Sequence, residues 1–312
     1  MMKNIIHKET PARSMTRAAS QQAYYTIRLL VDRERVADAY RAYAYFRWVD
    51  DVIDTGLKSV PEQIAFLERQ KYLLQNCYEG EVPQNSTAEE KMLIQLLRHD
   101  HEKSSGLQTY LRNMMKVMEF DAGRRGRLIS QAELDEYTRC LASAVTEAMH
   151  YFIGHDYYSP HNESRYLAVT GAHVVHMLRD AYEDLQAGYY NVPREVLEAA
   201  HIRPQDIQST AYRAWVQSRI QLARRYFNAG REYIAQVEEI RCKLAGFAYM
   251  ARFEWLLNTI EREAYILRPE YSERKSLRTK YRMGLLTFSS MFHSRSKRSI
   301  YQPAHPQIWR KP

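Results

Sequence analysis

The fold class this sequence predicts is all-α, a single helical domain. Three observations predict it. Gly and Pro are sparse, at 11 and 10 of 312 residues, too few for the many turns of a β-protein. Apolar and aromatic residues recur every three to four positions, as at Ala39, Tyr43, Phe46, Val49 and Ile53. No alternating strand run of useful length and no internal repeat breaks that period.

The elements follow in order. Residues 21–53 form the first helical stretch, with a polar break near VDRER (31–35). Pro61 opens the next helix, with Ile64, Leu67 and Tyr72 on its apolar side. GEVPQNST (80–87) is a loop. Helices are then expected over 89–97, 106–121 and 131–154, the last marked by the Ser-x-x-Glu capping box of SQAELDEY. YYSPHNES (157–164) leads into a helix over 165–185, and Val192-Pro193 interrupts the pattern. RPQDIQST (203–210) precedes a long helix over 211–237, and a last helix runs over 240–267.

Composition narrows the function classes. Apolar residues make up 45%, enough for a sizeable core. The 24 tyrosines suit a cavity wall, because each offers an apolar ring and a polar tip. Cys77, Cys140 and Cys242 are far apart and form no CxxC pair, which fits a reducing compartment and excludes a disulfide framework or zinc site. No apolar run approaches the roughly 18 residues of a membrane span, and MMKNIIHKETPARS lacks a signal-peptide core. The expected setting is cytoplasmic. The net charge of +8 is concentrated at positions 268–312, where 11 Lys or Arg meet two Glu. That segment, rich in Ser and interleaved with Tyr281, Leu285, Leu286, Phe288, Met291 and Phe292, suits either a mobile tail or peripheral contact with an anionic membrane. The basic run at 223–227 lies in an amphipathic helix and reads as a solvated face, so no nucleic-acid partner is expected.

Two acidic clusters carry the chemistry. YFRWVDDVIDT (45–55) holds Asp50, Asp51 and Asp54. HMLRDAYEDLQAGYY (176–190) holds Asp180, Glu183 and Asp184. In each, two aspartates stand four residues apart, so a helix brings them to one side. Each has a neighbouring arginine, Arg47 or Arg179. Like charges at that spacing repel, and burial would penalise them further without a counter-ion. One such cluster reads as a solvated face, but two inside aromatic helices point to a shared cation. Facing helices with carboxylates on adjacent turns suit Mg²⁺, which prefers oxygen and keeps coordination positions for water and phosphate. A diphosphate held there becomes a good leaving group, and aromatic faces can stabilise an allylic cation left behind.

These residues resemble those of squalene and phytoene synthases. AYRAYAYFRWVDDVIDT is similar to the first aspartate-rich motif of that family, and HMLRDAYEDLQAGYYNVP to the second. SQQAYYTIRLL stands where the family has its substrate flap, and VMEFDAGRRGRLISQAELDEYTRCLASAVTEAM resembles the segment between the motifs. The resemblance spans roughly residues 20–263. It implies an isoprenoid-synthase fold, a single helical domain around a central cavity, with an N-terminal extension over 1–19, a catalytic domain over 20–267 and the basic segment 268–312. It implies Mg²⁺-dependent head-to-head condensation of two prenyl diphosphates through a cyclopropyl intermediate, with Mn²⁺ as an alternative ion and NADPH use open. By position, Asp50, Asp51, Asp54, Asp180, Glu183 and Asp184 would hold metal. Arg47, Arg179 and Tyr24 would contact diphosphate, and Tyr43 and Tyr137 would act at the cavity wall.

The chain departs from the family pattern at four places. The flap Ser-Phe-Tyr, often preceded by a cation, is Gln22-Ala23-Tyr24-Tyr25. Gln-x-x-Asn before the second motif is replaced by His173 and His176, which suit diphosphate hydrogen bonding or packing better than Mg²⁺ ligation. Gly-Arg-x-Tyr-x-Pro becomes Gly188-Tyr189-Tyr190-Asn191-Val192-Pro193, which removes a cation and leaves Tyr189 beside the metals. In Tyr137-Thr138-Arg139-Cys140-Leu141-Ala142-Ser143 the second tyrosine and the glycine of the family are absent. Two alternatives therefore stand beside the synthase: a binding or assembly protein on the same fold, and an enzyme whose cation is captured by water to give a hydroxylated product.

Overall fold

Helix starts in this chain follow their capping residues. The computed structural model describes residues 10–57 and 59–272, with positions 284 and 287 beyond them. Ser59 and Glu62, Thr87 and Glu90, and Ser130 and Glu133 each form a reciprocal capping box. These boxes start α4 (Val60–Tyr78), α5 (Ala88–Arg98) and α7 (Gln131–Phe152). Between them lies α6 (Gly106–Arg124), started by Ser105, whose hydroxyl accepts from the Gln108 amide. It runs three residues past the expected end at 121 and so brings Arg124 into the helix.

The first long stretch divides. The polar break separates α2 (Gln21–Leu30) from α3 (Val36–Asp51), with a 3₁₀ turn at Arg33–Arg35 between them. Ahead of Ser20, positions expected as an extension form α1 (Pro11–Ala19), which packs on α3. Val192-Pro193 leads into a short helix absent from the sequence expectation, α10 (Arg194–Ala200). The last two long helices are α11 (Thr210–Gln236) and α12 (Ile240–Arg262). No strand occurs among the described residues. The basic tail lies almost wholly outside the described residues. No helix described is long and apolar enough to cross a membrane.

The helix over 165–185 also breaks. It consists of a 3₁₀ turn at Glu163–Tyr166, α8 (Leu167–Arg179) and α9 (Ala181–Ala187). α8 is the central helix, packed by α7, α11 and α12. Its contact with α11 is close because Gly230 faces Ala168; a Cβ on Gly230 would stand 2.8 Å from the Ala168 Cα and backbone nitrogen. A buried ion pair ties the far end, where Arg165 grips Glu147 with Nε and Nη2 at 2.7 and 2.9 Å. Tyr166 also donates to Glu147, and the Tyr233 hydroxyl accepts from Arg165.

One apolar expectation fails on α4. Leu67 is buried, but Ile64 and Tyr72 are exposed. The inward face instead carries Gln63 and Gln70. Both are satisfied: Gln63 donates to the Ile53 carbonyl at 2.9 Å, and Gln70 accepts from Tyr45 at 3.0 Å and donates to Glu90 at 3.0 Å. Hydrogen bonding thus removes the cost of burying these amides.

Candidate active site

Both acidic motifs sit where a regular helix stops. α3 ends at Asp51, and the chain continues as a single π-helical turn, Val52–Gly56, which carries Asp54. Such turns recur at functional sites. Gln63 fastens this one from α4 through the Ile53 carbonyl. Arg47 pairs with Asp50 at 3.3 Å and with Asp51. In the second motif Asp180 separates α8 from α9, with φ −94° and ψ 5°. α9 then ends at Gly188, whose φ of +86° suits a residue without Cβ.

Asp180 and Asp184 have different environments. Asp180 is gripped by Arg179 through Nε and Nη2 at 2.5 and 2.6 Å and meets His176 Nε2 at 2.9 Å. Burial raises its pKa, but the His176 and Arg179 contacts outweigh that and hold it well below the usual carboxylate range. Asp184 accepts from Asn191 Nδ2 at 2.6 Å. Burial pushes its carboxyl up to about 6, with the Asp180 and Asp121 charges adding to the shift. Asp50 is also pushed up to about 6, by burial first and then by Asp54, with Asp121 and Asp51 adding less. Asp54 is raised by burial and by Asp121.

Asp121 is the residue that joins these fields. It lies near the C-terminal end of α6, and its charge acts on Asp50, Asp54 and Asp184 together. Its own carboxyl is raised by burial, against the pull of Arg124 and Tyr137. Arg124 donates Nε to Asp121 at 2.7 Å, and the Tyr137 hydroxyl donates to it at 3.0 Å. Carboxylates from three parts of the chain therefore share one neighbourhood. Sequence reasoning missed Asp121; the available signal was a lone Asp three residues before Arg in the segment between the motifs.

The wall beside these carboxylates is aromatic. Tyr137 stacks on Phe120 at 4.9 Å and meets His173 edge-on at 5.0 Å. His173 is buried, its Nδ1 3.0 Å from Thr138 Oγ1, and burial pushes it down to about 3, so it is neutral. Burial raises the Tyr137 phenol well above its ordinary value. Tyr189 lies over the Arg124 guanidinium at 4.8 Å. Tyr43 packs against the core close enough to Arg47 and Tyr110 to act on both.

Two expected residues, Glu183 and Tyr24, stand apart from this group, while His176 touches it at its edge. Glu183 is exposed and makes no hydrogen bond or ion pair with the described residues. His176 is exposed and serves Asp180. Tyr24 accepts from Arg13 of α1 at 2.8 Å, with Arg13 and Arg17 over its ring, and none of these contacts involves an acidic-cluster residue. A groove of about 360 Å³ lined by Asp32, Arg33, Gly154, Tyr157 and Arg241 likewise includes none of them.

The helical fold that carries the paired acidic motifs is the isoprenoid-synthase fold. The family model for squalene/phytoene synthase matches residues 16–280, and the chain belongs to that family. Among solved structures it is similar to squalene synthase HpnC from Alicyclobacillus acidocaldarius. That match has 20% identity and a TM-score of 0.65 over 82% of this chain and 94% of that one. It is also similar to a dehydrosqualene synthase, with 18% identity and a TM-score of 0.69 over 92% and 96% of the two chains. No curated sequence matches this chain.

Proposed function

We propose that this protein is a Mg²⁺-dependent prenyltransferase. It joins two prenyl diphosphates, farnesyl or geranylgeranyl, head to head and releases diphosphate, giving a squalene- or phytoene-type product. The observation that carries this is the shared neighbourhood of Asp50, Asp54, Asp121 and Asp184: burial raises each carboxyl, and neighbouring carboxylates raise Asp50, Asp54 and Asp184 further. Such surplus negative charge suits a hard dication, and the donor set is all oxygen. Among the described residues no three His, Cys, Asp or Glu side chains close on a common point. When bound, Mg²⁺ would supply charge stabilisation to the departing diphosphate.

The chain's own residues do the rest. Asp50, Asp54 and Asp184 would hold the dication, and the diphosphate end would be oriented through it. Arg47, paired with Asp50 and Asp51, is the cation at the first motif. Neutral His173 and Tyr137 add no further charge to the aromatic wall beside Arg124 and Asp121, and rings in such a wall can face an allylic cation. The test is diphosphate release from farnesyl and geranylgeranyl diphosphate with and without Mg²⁺. Asp50→Ala and Asp180→Ala are expected to abolish it, and full turnover in both would sink the proposal.

A binding protein on the same fold is the second reading. It is favoured by the engagement of Asp180 with Arg179 and His176. It predicts no release with either substrate from a folded chain.

A further inference from the structure

Arg124 is a buried cation at the centre of the acidic group, and its donors are divided in an uneven way. Nε goes to Asp121 at 2.7 Å and Nη1 to Asn191 at 2.8 Å, and Asn191 passes the contact to Asp184 at 2.6 Å. The residue is 7% exposed. Its guanidinium lies 4.8 Å from the Tyr189 ring centre, 5.3 Å from Tyr137 and 5.7 Å from Phe120. Three rings and two hydrogen bonds therefore fix the plane of the fork. Nη2 has no hydrogen-bond partner among the described residues. A fixed guanidinium with an unused donor edge, between carboxylates that suit a metal–diphosphate, matches the planar oxygen pairs of a phosphate.

We propose that Arg124 is a diphosphate-binding residue of this site, contacting the leaving group through Nη2 while its other two donors hold Asp121 and, through Asn191, Asp184. The inference rests on the metal–diphosphate reading above. It assigns a cation from α6 to the neighbourhood in which residues 188–193 supply Tyr189 and Asn191 but no arginine. A purely structural arginine would hold the carboxylates and no more. A diphosphate-binding one has opposite effects on anion and metal, because it attracts the first and competes with the second for the same carboxylates.

Calorimetric titration of the full chain separates these roles, with inorganic pyrophosphate in the presence of Mg²⁺ and, separately, with Mg²⁺ alone. Loss of a charge-assisted contact predicts pyrophosphate binding at least about tenfold weaker in Arg124→Gln. Mg²⁺ alone is expected to bind Arg124→Gln no more weakly than wild type. Arg124→Lys keeps the charge but not the fork, and is expected to lose pyrophosphate affinity severalfold; it decides the matter if the Gln variant does not fold. Wild-type pyrophosphate affinity in either folded variant, or equal loss of both ligands, overturns the assignment of Arg124 alone. A wild-type chain without Mg²⁺-dependent pyrophosphate binding overturns both this assignment and the reading beneath it.

Discussion

Replacing Asp50 by Asn is predicted to stabilise the metal-free protein while removing its function. The Asp50 carboxyl is moved from 3.8 to about 6, by burial first and then by Asp54, against the opposing pull of Arg47. A raised carboxyl contributes stability that is fully present below its unfolded value and is lost as pH rises through the folded one. Metal-free wild type should therefore lose stability between about pH 4 and pH 6. The whole displacement would correspond to roughly 3 kcal/mol. Because 40% of the side chain is exposed, solvent screening reduces the expected effect to about 1 kcal/mol. Asn at this position carries no charge, and Arg47 keeps Asp51 as its partner. The variant should melt about 2 °C above wild type in chelator near pH 7.5, and no higher near pH 4. Added Mg²⁺ should raise the melting temperature of wild type more than that of the variant. Thermal melts at the two pH values, with chelator and with Mg²⁺, test all of this. A variant that melts below wild type in chelator near pH 7.5, or that gains as much from Mg²⁺, would refute the reasoning.

Asp121→Asn keeps the shape but turns one of the two accepting oxygens, which serve Arg124 and Tyr137, into a donor, and removes the charge shared by both motifs; Mg²⁺-dependent turnover should fall by about 100-fold, the upper range for groups that support a metal site, and unchanged turnover would remove Asp121 from the site. Glu147→Gln strands the Arg165 guanidinium in the core, and chemical denaturation should show a loss of about 3–5 kcal/mol; a loss below about 1 kcal/mol, the scale of a surface pair, would contradict that ion pair. Gly230→Ala drives a methyl group into the α8 backbone at Ala168; overpacking of about 1–3 kcal/mol is expected in the same assay, and wild-type stability would show that the two helices are not in close contact there.

The helical class was legible because the apolar period and the capping residues agree, as at Ser130–Glu133 and Thr87–Glu90. The breaks were less legible. No Gly or Pro stands at positions 172–179, just before Asp180, so the stop between α8 and α9 leaves no local trace, and nothing in the sequence marks the turn at Val52–Gly56 as π-helical. Apolar identity alone turns Ile64 and Tyr72 inward on α4, whereas Tyr45 and Glu90 provide partners that let an amide take that face instead. The acidic pairs could be read from spacing alone. Asp121 and Arg124 could not be, because the helix closes them only onto each other, and their use depends on tertiary contacts with Tyr137 and Asn191. Asp180 and Asp184, alike in sequence, differ because Arg179 and His176 reach only the first.

The most direct test of the central claim is the mass of the organic product when purified protein, Mg²⁺ and either farnesyl or geranylgeranyl diphosphate are combined, with and without NADPH. A hydrocarbon built from two prenyl units is the predicted result, and its size identifies the substrate. A single-unit prenyl alcohol, or unreacted substrate from a folded chain, would contradict head-to-head condensation at this site.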